Sequence, residues 1–165
     1  MYVDLIEKAF WAGVIGFGFA VLFNVPYRLL VAIFLTSFLA GLAKFGTLIL
    51  GYNMIFAALA AASVVGFISI PISRYKFTSP FVVSIPSVIG MIPGYFGYKT
   101  LLGIMQIAMS KDSTNEVNTI LSITQNAVNM FFILASLAIG VSLPWLLLRK
   151  KGIEKIKFSQ SDDLL

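Results

Sequence analysis

Residues 79–110 read SPFVVSIPSVIGMIPGYFGYKTLLGIMQIAMS, an apolar stretch that is too long and too interrupted to form one ordinary helix. Proline removes a backbone hydrogen-bond donor and clashes with the preceding helical turn, so the Pro93-Gly94 pair predicts a break. Backbone groups freed by such a break cannot face lipid, and they have to be buried in protein or line a wet cavity. The stretch therefore predicts a broken transmembrane helix.

Long uncharged runs make up most of the remaining chain. Apolar residues account for 59% of the 165 residues and charged residues for 12%, which is more apolar surface than a soluble domain of this size can bury. A helix needs roughly 20 apolar residues to cross the hydrocarbon core of a bilayer. The sequence predicts an all-α integral membrane protein with about five transmembrane helices, the fourth broken at Pro93-Gly94. The spans are predicted near residues 4–24, 28–49, 54–73, 79–109 and 122–147.

These spans form one predicted transmembrane domain, residues 1–150, followed by a short cytoplasmic tail, residues 151–165. The end of the last span and the tail carry a basic cluster, Arg149, Lys150, Lys151, Lys155 and Lys157. Basic residues flanking membrane spans favour the cytoplasmic side, so the C-terminus is predicted inside. An odd number of spans then places the N-terminus outside.

Missing residue types narrow the chemistry further. The sequence has no Cys and no His, which excludes disulfides, thiolate metal sites and Ser-His-Asp triads. No Asp or Glu lies deep in a predicted span, so the chain offers no carboxylate for a proton relay. The net charge of +5 comes from scattered basic residues, a pattern that fits membrane topology better than nucleic-acid binding. We expect no enzyme activity, no cofactor and no metal.

The residues around the predicted break have two interpretations, one structural and one functional. In the first, Pro93 and Gly94 only kink a span and help it to pack. In the second, the break lines a substrate path, as discontinuous helices do in many transporters, where half-helix N-termini point at anionic groups. Tyr98 and Lys99 follow the break closely and add a hydroxyl group and a cation, which makes all four residues candidates for substrate binding.

Two other positions also remain open between structural and functional roles. Asn24 and Arg28 lie in FNVPYR, which forms either a short turn between spans or a carboxylate-binding group at the cytoplasmic mouth. Lys44 lies in AGLAKFG and either snorkels to the outer interface or faces the interior as a carboxylate partner.

A polar stripe runs along the last span. Its members share one helical face: Ser122, Asn126, Asn129, Ile133, Ser136 and Gly140. Amide groups in hydrocarbon need partners. Asn126 and Asn129 therefore either form hydrogen bonds between helices or contact the substrate directly.

With these segments in place, the sequence resembles the small-subunit branch of the threonine/serine exporter (ThrE) family. Three stretches carry the resemblance: GFAVLFNVPYRLL at 18–30, FVVSIPSVIGMIPGYFGYKTL at 81–101 and SLAIGVSLPWLLLRKK at 136–151. The matching positions are Asn24, Pro26, Arg28, Pro93, Gly94, Tyr98 and Gly140.

The resemblance implies a bacterial inner-membrane exporter built from two unlike membrane halves, fused or separate. This chain would be the small subunit in a hetero-oligomer with a larger exporter subunit. The implied solutes are threonine and serine, and for some two-subunit members dicarboxylates such as succinate.

Two functions follow as hypotheses. In the first, the chain exports a small carboxylate-bearing solute by alternating access at the broken helix, where the carboxylate meets the N–H groups of a half-helix start and a nearby cation. In the alternative, the chain is a non-transporting assembly subunit that only stabilises its partner.

Overall fold

The computed structural model describes residues 2–109 and 116–162, with side chains described for residues 3–109 and 117–147. Its elements are α1 (Tyr2–Leu22), α2 (Tyr27–Ile49), α3 (Met54–Lys76), α4 (Pro80–Ile89), α5 (Gly94–Met109) and α6 (Glu116–Asp162). The described residues contain helices and turns but no strand. The predicted all-α class is confirmed.

Four of the helices are long and apolar enough to cross a membrane: α1, α2, α3 and the Val117–Leu147 part of α6. The short helices α4 and α5 pass the same test together, with a bend of 54° between them, and count as a fifth, broken span. The predicted number of spans and the broken fourth span are therefore confirmed. Because α6 runs without interruption from Glu116 to Asp162, the division of the chain at residue 150 stays a prediction.

Short turns connect the first three helices into antiparallel hairpins. In the α1–α2 turn, Asn24 adopts the left-handed conformation (φ +53°), which Asn tolerates better than most residues. Pro26 occupies the N-cap position of α2, and its carbonyl accepts the N–H of Leu29 at 2.9 Å. The α1–α2 turn and the C-terminus of α3 thus lie at one end of the bundle, the Arg28 end. The N-terminus of α1 and the α2–α3 turn lie at the other, the Lys8 end.

Helices α3 and α6 run in the same direction and approach closely through small residues. Gly140 of α6 packs on the backbone of α3, where an added Cβ would lie 3.0 Å from the carbonyl oxygen of Leu59. Gly66 of α3 packs in turn against Pro144 and the carbonyl oxygen of Val141. Small residues allow backbones to approach in this way, and van der Waals packing then holds the helices together in lipid.

The broken span crosses the middle of this bundle. Met91, at the break, is buried in a cluster with Ala40 of α2, Val65 of α3 and Ile133 of α6. Helix α4 packs against α1, α2 and α3, whereas α5 packs mainly against α6. The break therefore lies at the centre of the protein, and the helix that follows it turns away from the first three helices.

Candidate functional site

Tight turns close the end of α4 before α5 begins. The N–H of Met91 donates to the carbonyl of Val88 at 2.8 Å, and the N–H of Ile92 donates to the carbonyl of Ile89 at 3.2 Å. Pro93 is buried and Gly94 is exposed. Proline cannot continue the helical hydrogen-bond ladder, so the chain changes direction here.

A cavity of about 240 Å³ lies beside the break, between α1 and α2, and we call it the two-lysine pocket. Its walls are formed by Lys8, Trp11, Ala12, Ile15, Gly41, Lys44, Phe45, Gly90 and Met91. The pocket therefore combines two cations, an aromatic wall and the end of a broken helix.

The two lysines come to the same depth because α1 and α2 are antiparallel. Lys8 lies six residues after the start of α1, and Lys44 lies five residues before the end of α2. Lys44 is half-buried, and the Lys8 ammonium group lies 5.9 Å from the centre of the Phe45 ring. Two lysines that line one pocket favour an anionic guest, because a carboxylate would offset the cost of partly burying the Lys44 ammonium group.

Glycine shapes the walls of this pocket. A Cβ added at Gly41 would lie 3.0 Å from the Cα of Ala9 and 3.0 Å from the Cβ of Ala12, so Gly41 allows α1 and α2 to approach closely. A Cβ added at Gly90 would lie 2.5 Å from Cγ2 of Ile15. The end of α4 thus touches α1 directly, and a larger residue at either glycine would reshape the pocket.

The pocket adjoins a second cavity of about 330 Å³ toward the Lys8 end of the bundle. Lys8 and Phe45 line both cavities, and Asp4, Leu5, Leu48 and Ile49 complete the second. The two cavities therefore share part of their walls, and the second lies on the side of the two-lysine pocket toward the Lys8 end.

The start of α5 does not contribute to this pocket. Gly94 and Tyr95 are exposed and do not line the pocket. Gly90 and Met91, which follow the last turn of α4, do line it. The pocket therefore takes its positive charge from Lys8 and Lys44 and not from the half-helix N-terminus expected from the sequence. A helix C-terminus instead carries partial negative charge on its last carbonyl groups.

The other sequence-predicted residues do not converge on the pocket. Asn24 and Arg28 are exposed at the Arg28 end, where the Arg28 guanidinium lies 5.8 Å from the centre of the Tyr27 ring. Tyr98 and Lys99 are exposed on α5, and the Lys99 ammonium lies 4.8 Å from the centre of the Tyr95 ring.

Asn126 and Asn129 lie on the first half of α6. The side-chain nitrogen of Asn126 donates to the carbonyl of Ser122 within α6 at 2.8 Å, and Asn129 is exposed. Of the nine predicted site residues, Lys44 lines the two-lysine pocket. Pro93 and Gly94 do not line it, but they come shortly after Gly90 and Met91 in the sequence, which do.

Lys8 is the residue that the sequence argument missed. It precedes the first long uncharged run and is easily interpreted as a charge flanking the membrane. The available signal is positional: two lysines at similar depths in consecutive antiparallel spans lie at one level of the membrane. Only the packing of α1 on α2 shows that they share a pocket.

A third cavity, of about 370 Å³, lies on the other side of α4, against α6. Its walls are almost entirely apolar, and Ser84 is the buried polar residue of α4 that contributes to them. Without a charged residue among its lining residues, this groove is suited to apolar contacts and not to a small anion.

Discontinuous helices within a bundle of membrane-length helices form the solute sites of many transporters. The family model described as Threonine/Serine exporter, ThrE, matches residues 8–147. The chain belongs to this family of membrane exporters, as the resemblance implied.

A relative in Haemophilus influenzae, an uncharacterized protein, is 30% identical over 147 residues. The match covers 88% of this chain and 48% of that protein, so the chain spans about half the length of this relative. No solved structure matches the chain.

Proposed function

We propose that this chain is the small membrane half of an exporter in the bacterial inner membrane, which moves threonine or serine outward by alternating access at the broken helix. The observation that carries the proposal is the two-lysine pocket, which lies against the break between α4 and α5. A bend of 54° within one span provides a point about which the two halves of the span can move relative to each other.

The chemistry of the pocket fits an amino acid. The ammonium groups of Lys8 and Lys44 attract a carboxylate, with Lys44 the more buried of the two. The C-terminal end of α4 favours the α-ammonium group of the same solute, because helix C-termini favour cations. A dicarboxylate such as succinate would use both lysines but would gain nothing from the end of α4. Succinate is therefore the alternative solute that the efflux experiment has to distinguish from threonine and serine.

The second membrane half is part of the proposal. The match to the Haemophilus influenzae relative covers 48% of that protein, which supports the idea that a complete exporter has about twice the length of this chain. The larger subunit would complete the walls around the pocket and the break, and it would supply any acidic residue that proton coupling requires.

The proposed orientation has the N-terminus outside and the C-terminus in the cytoplasm. Arg28, Arg74 and Lys76 all lie at the Arg28 end, which supports a cytoplasmic position for that end. The two-lysine pocket and its adjoining cavity then open toward the outer face, as expected for an exporter in its outward-open state.

The test is efflux of labelled threonine, serine and succinate from cells that carry this chain with its partner. We expect Lys44→Gln to reduce threonine and serine efflux by about tenfold or more, because a hydrogen bond to a charged group is lost. Lys76→Gln is the control, since Lys76 is exposed at the Arg28 end and far from the pocket. Its efflux should match the wild type.

The remaining outcomes separate the alternatives. Loss of succinate efflux without loss of threonine or serine efflux would identify the solute as a dicarboxylate and not an amino acid. Unchanged efflux of all three solutes in Lys44→Gln, with the complex still assembled, would refute the site and favour the non-transporting assembly subunit.

A further inference from the structure

The hairpin formed by α5 and the first part of α6 extends beyond the start of α3. Ala62 contacts Gly140, and Gly66 contacts Pro144, which fixes the register between α3 and α6. The start of α3 at Met54 therefore lies level with Phe132. The preceding part of α6, residues 117–131, is about 22 Å long at about 1.5 Å per residue, and α3 does not reach it.

This projecting part of α6 carries a row of amide and hydroxyl side chains, which we call the amide stripe. Its members are Asn118, Ser122, Gln125, Asn126 and Asn129, of which Asn126 is half-buried and the others are exposed. The stripe continues the helical face that α3 covers farther along, at Ile133, Ser136 and Gly140. The face that packs against α3 thus extends past the start of α3 as a polar surface.

Neither water nor lipid suits this hairpin. Large apolar side chains are exposed on both of its helices: Leu101, Ile104, Met105, Ile120, Leu121 and Val128. In water this apolar surface would be unfavourable. In lipid the amide groups of Gln125 and Asn129 would lack hydrogen-bond partners, which is also unfavourable. A protein surface that combines apolar contacts with hydrogen-bonding side chains satisfies both requirements.

We propose that the amide stripe is the surface on which the second membrane half of the exporter docks, through a helix that carries hydrogen-bonding side chains. The identity of this partner rests on the proposed function. Two observations favour a helix of that half as the occupant. The stripe continues an existing helix-packing face, and the Haemophilus influenzae relative is long enough to contain a second segment of this chain's size.

Cysteine chemistry gives a direct test, because the chain has no native cysteine. Asn129→Cys and Ser122→Cys are labelled with a benzophenone maleimide and illuminated in membranes of the host cell. Thr124→Cys is the matched control, since Thr124 is exposed on the opposite face of the same part of α6. We expect the two stripe positions to form adducts with a peptide of a different exporter chain, and the control position to form far fewer such adducts.

Three results would overturn the docking surface. They are adducts with lipid alone at the stripe positions, adducts with a second copy of this chain, and equal adduct formation at Thr124→Cys. Mass spectrometry of the labelled peptide identifies the molecule to which each label is attached.

A second variant tests the hydrogen bonds themselves. Asn129→Leu keeps a side chain of similar size on an exposed helical position, so the fold should persist. Loss of one hydrogen bond between membrane helices should weaken association with the partner by about threefold to tenfold in co-purification at graded concentrations. Thr124→Val is the control. The Thr124 hydroxyl donates to the Ile120 carbonyl within α6, so its removal should leave association unchanged.

The docking surface and the proposed function can fail separately. Lipid adducts at Asn129→Cys together with loss of efflux in Lys44→Gln would refute the docking surface and leave the transport site. An exporter-chain adduct together with normal efflux in Lys44→Gln would support the docking surface and refute the transport site.

Discussion

Single glycines decide how closely the helices of this protein approach one another. At Gly140 an added Cβ would lie 2.6 Å from the Cβ of Ala62 and 3.1 Å from the backbone nitrogen of Ser63. These neighbours belong to a backbone and to a short side chain on it, so neither can move aside without separating α3 from α6. At Gly18, by contrast, no atom beyond its own helix lies within 4 Å.

Gly140→Ala should therefore lower the thermal stability of the purified protein in detergent. The expected cost is about 1–3 kcal/mol, because overpacking at a tight contact forces the helices apart. Gly18→Ala is the matched control, and it should be neutral or slightly stabilising, since Ala favours a helix over Gly. Equal stability of the two variants would show that α3 and α6 do not depend on this close contact.

The candidate site illustrates at the same scale what the sequence could predict. Lys44 could be recognised as a candidate because a lysine within an apolar run needs a reason to be there. Lys8 could not, because its partner in the pocket is 36 residues away along the chain and only helix packing brings them together. Tyr98 and Lys99 follow the break in sequence, but the 54° bend turns α5 away from the two-lysine pocket.

The broken span is the element on which the proposed mechanism depends. Pro93 lacks the N–H that would bond to the Ile89 carbonyl, and that carbonyl instead accepts the N–H of Ile92 at 3.2 Å. Met91, buried among α2, α3 and α6, holds the end of α4 in place. The break could be predicted from the Pro93-Gly94 pair, but its orientation depends on these contacts with distant residues.

Pro93→Ala should reduce the bend between α4 and α5, because alanine restores the missing donor and removes the clash with the preceding turn. The measurement is the distance between spin labels on Phe81→Cys and Met105→Cys, which are exposed positions on the two halves. We expect this distance to increase and efflux to fall.

Pro71→Ala is the control for this measurement, since Pro71 lies inside the continuous helix α3. It should leave the spin-label distance unchanged. An unchanged distance in Pro93→Ala as well would mean that the packing of Met91, and not the proline, sets the bend.

The amide stripe of α6 shows why the fate of a helical face cannot be predicted from its period alone. Spacing correctly predicts that Ser122, Asn126, Asn129, Ile133, Ser136 and Gly140 share one face. It does not predict that α3 begins level with Phe132, which leaves the first half of the face open and buries the second. Register between helices is a tertiary property, and it decides which half is packed.

At the scale of the whole molecule, the proposed orientation can be tested with cysteine labels. Tyr52→Cys lies in the α2–α3 turn at the Lys8 end, and Tyr75→Cys lies near the end of α3 at the Arg28 end. A membrane-impermeant maleimide added to intact cells should label Tyr52→Cys and leave Tyr75→Cys unlabelled, because basic residues favour the cytoplasmic side.

A permeant maleimide is the control and should label both variants, while the cysteine-free parent should remain unlabelled. Labelling of Tyr75→Cys alone by the impermeant reagent would reverse the orientation. The two-lysine pocket would then open toward the cytoplasm.

The parallel arrangement of α3 and α6 has a consequence for how the chain tolerates deletion. Neighbouring helices that point the same way cannot be joined by a short loop, so the polypeptide between them must return once across the bilayer. The α4–α5 pair makes this return passage, bent or not. A shortened protein that lacked residues 80–109 would insert its last helix in the opposite direction, and its Gly140 could no longer pack on Ala62 while its Pro144 packs on Gly66. The C-terminal end of that helix would then emerge on the opposite side of the membrane.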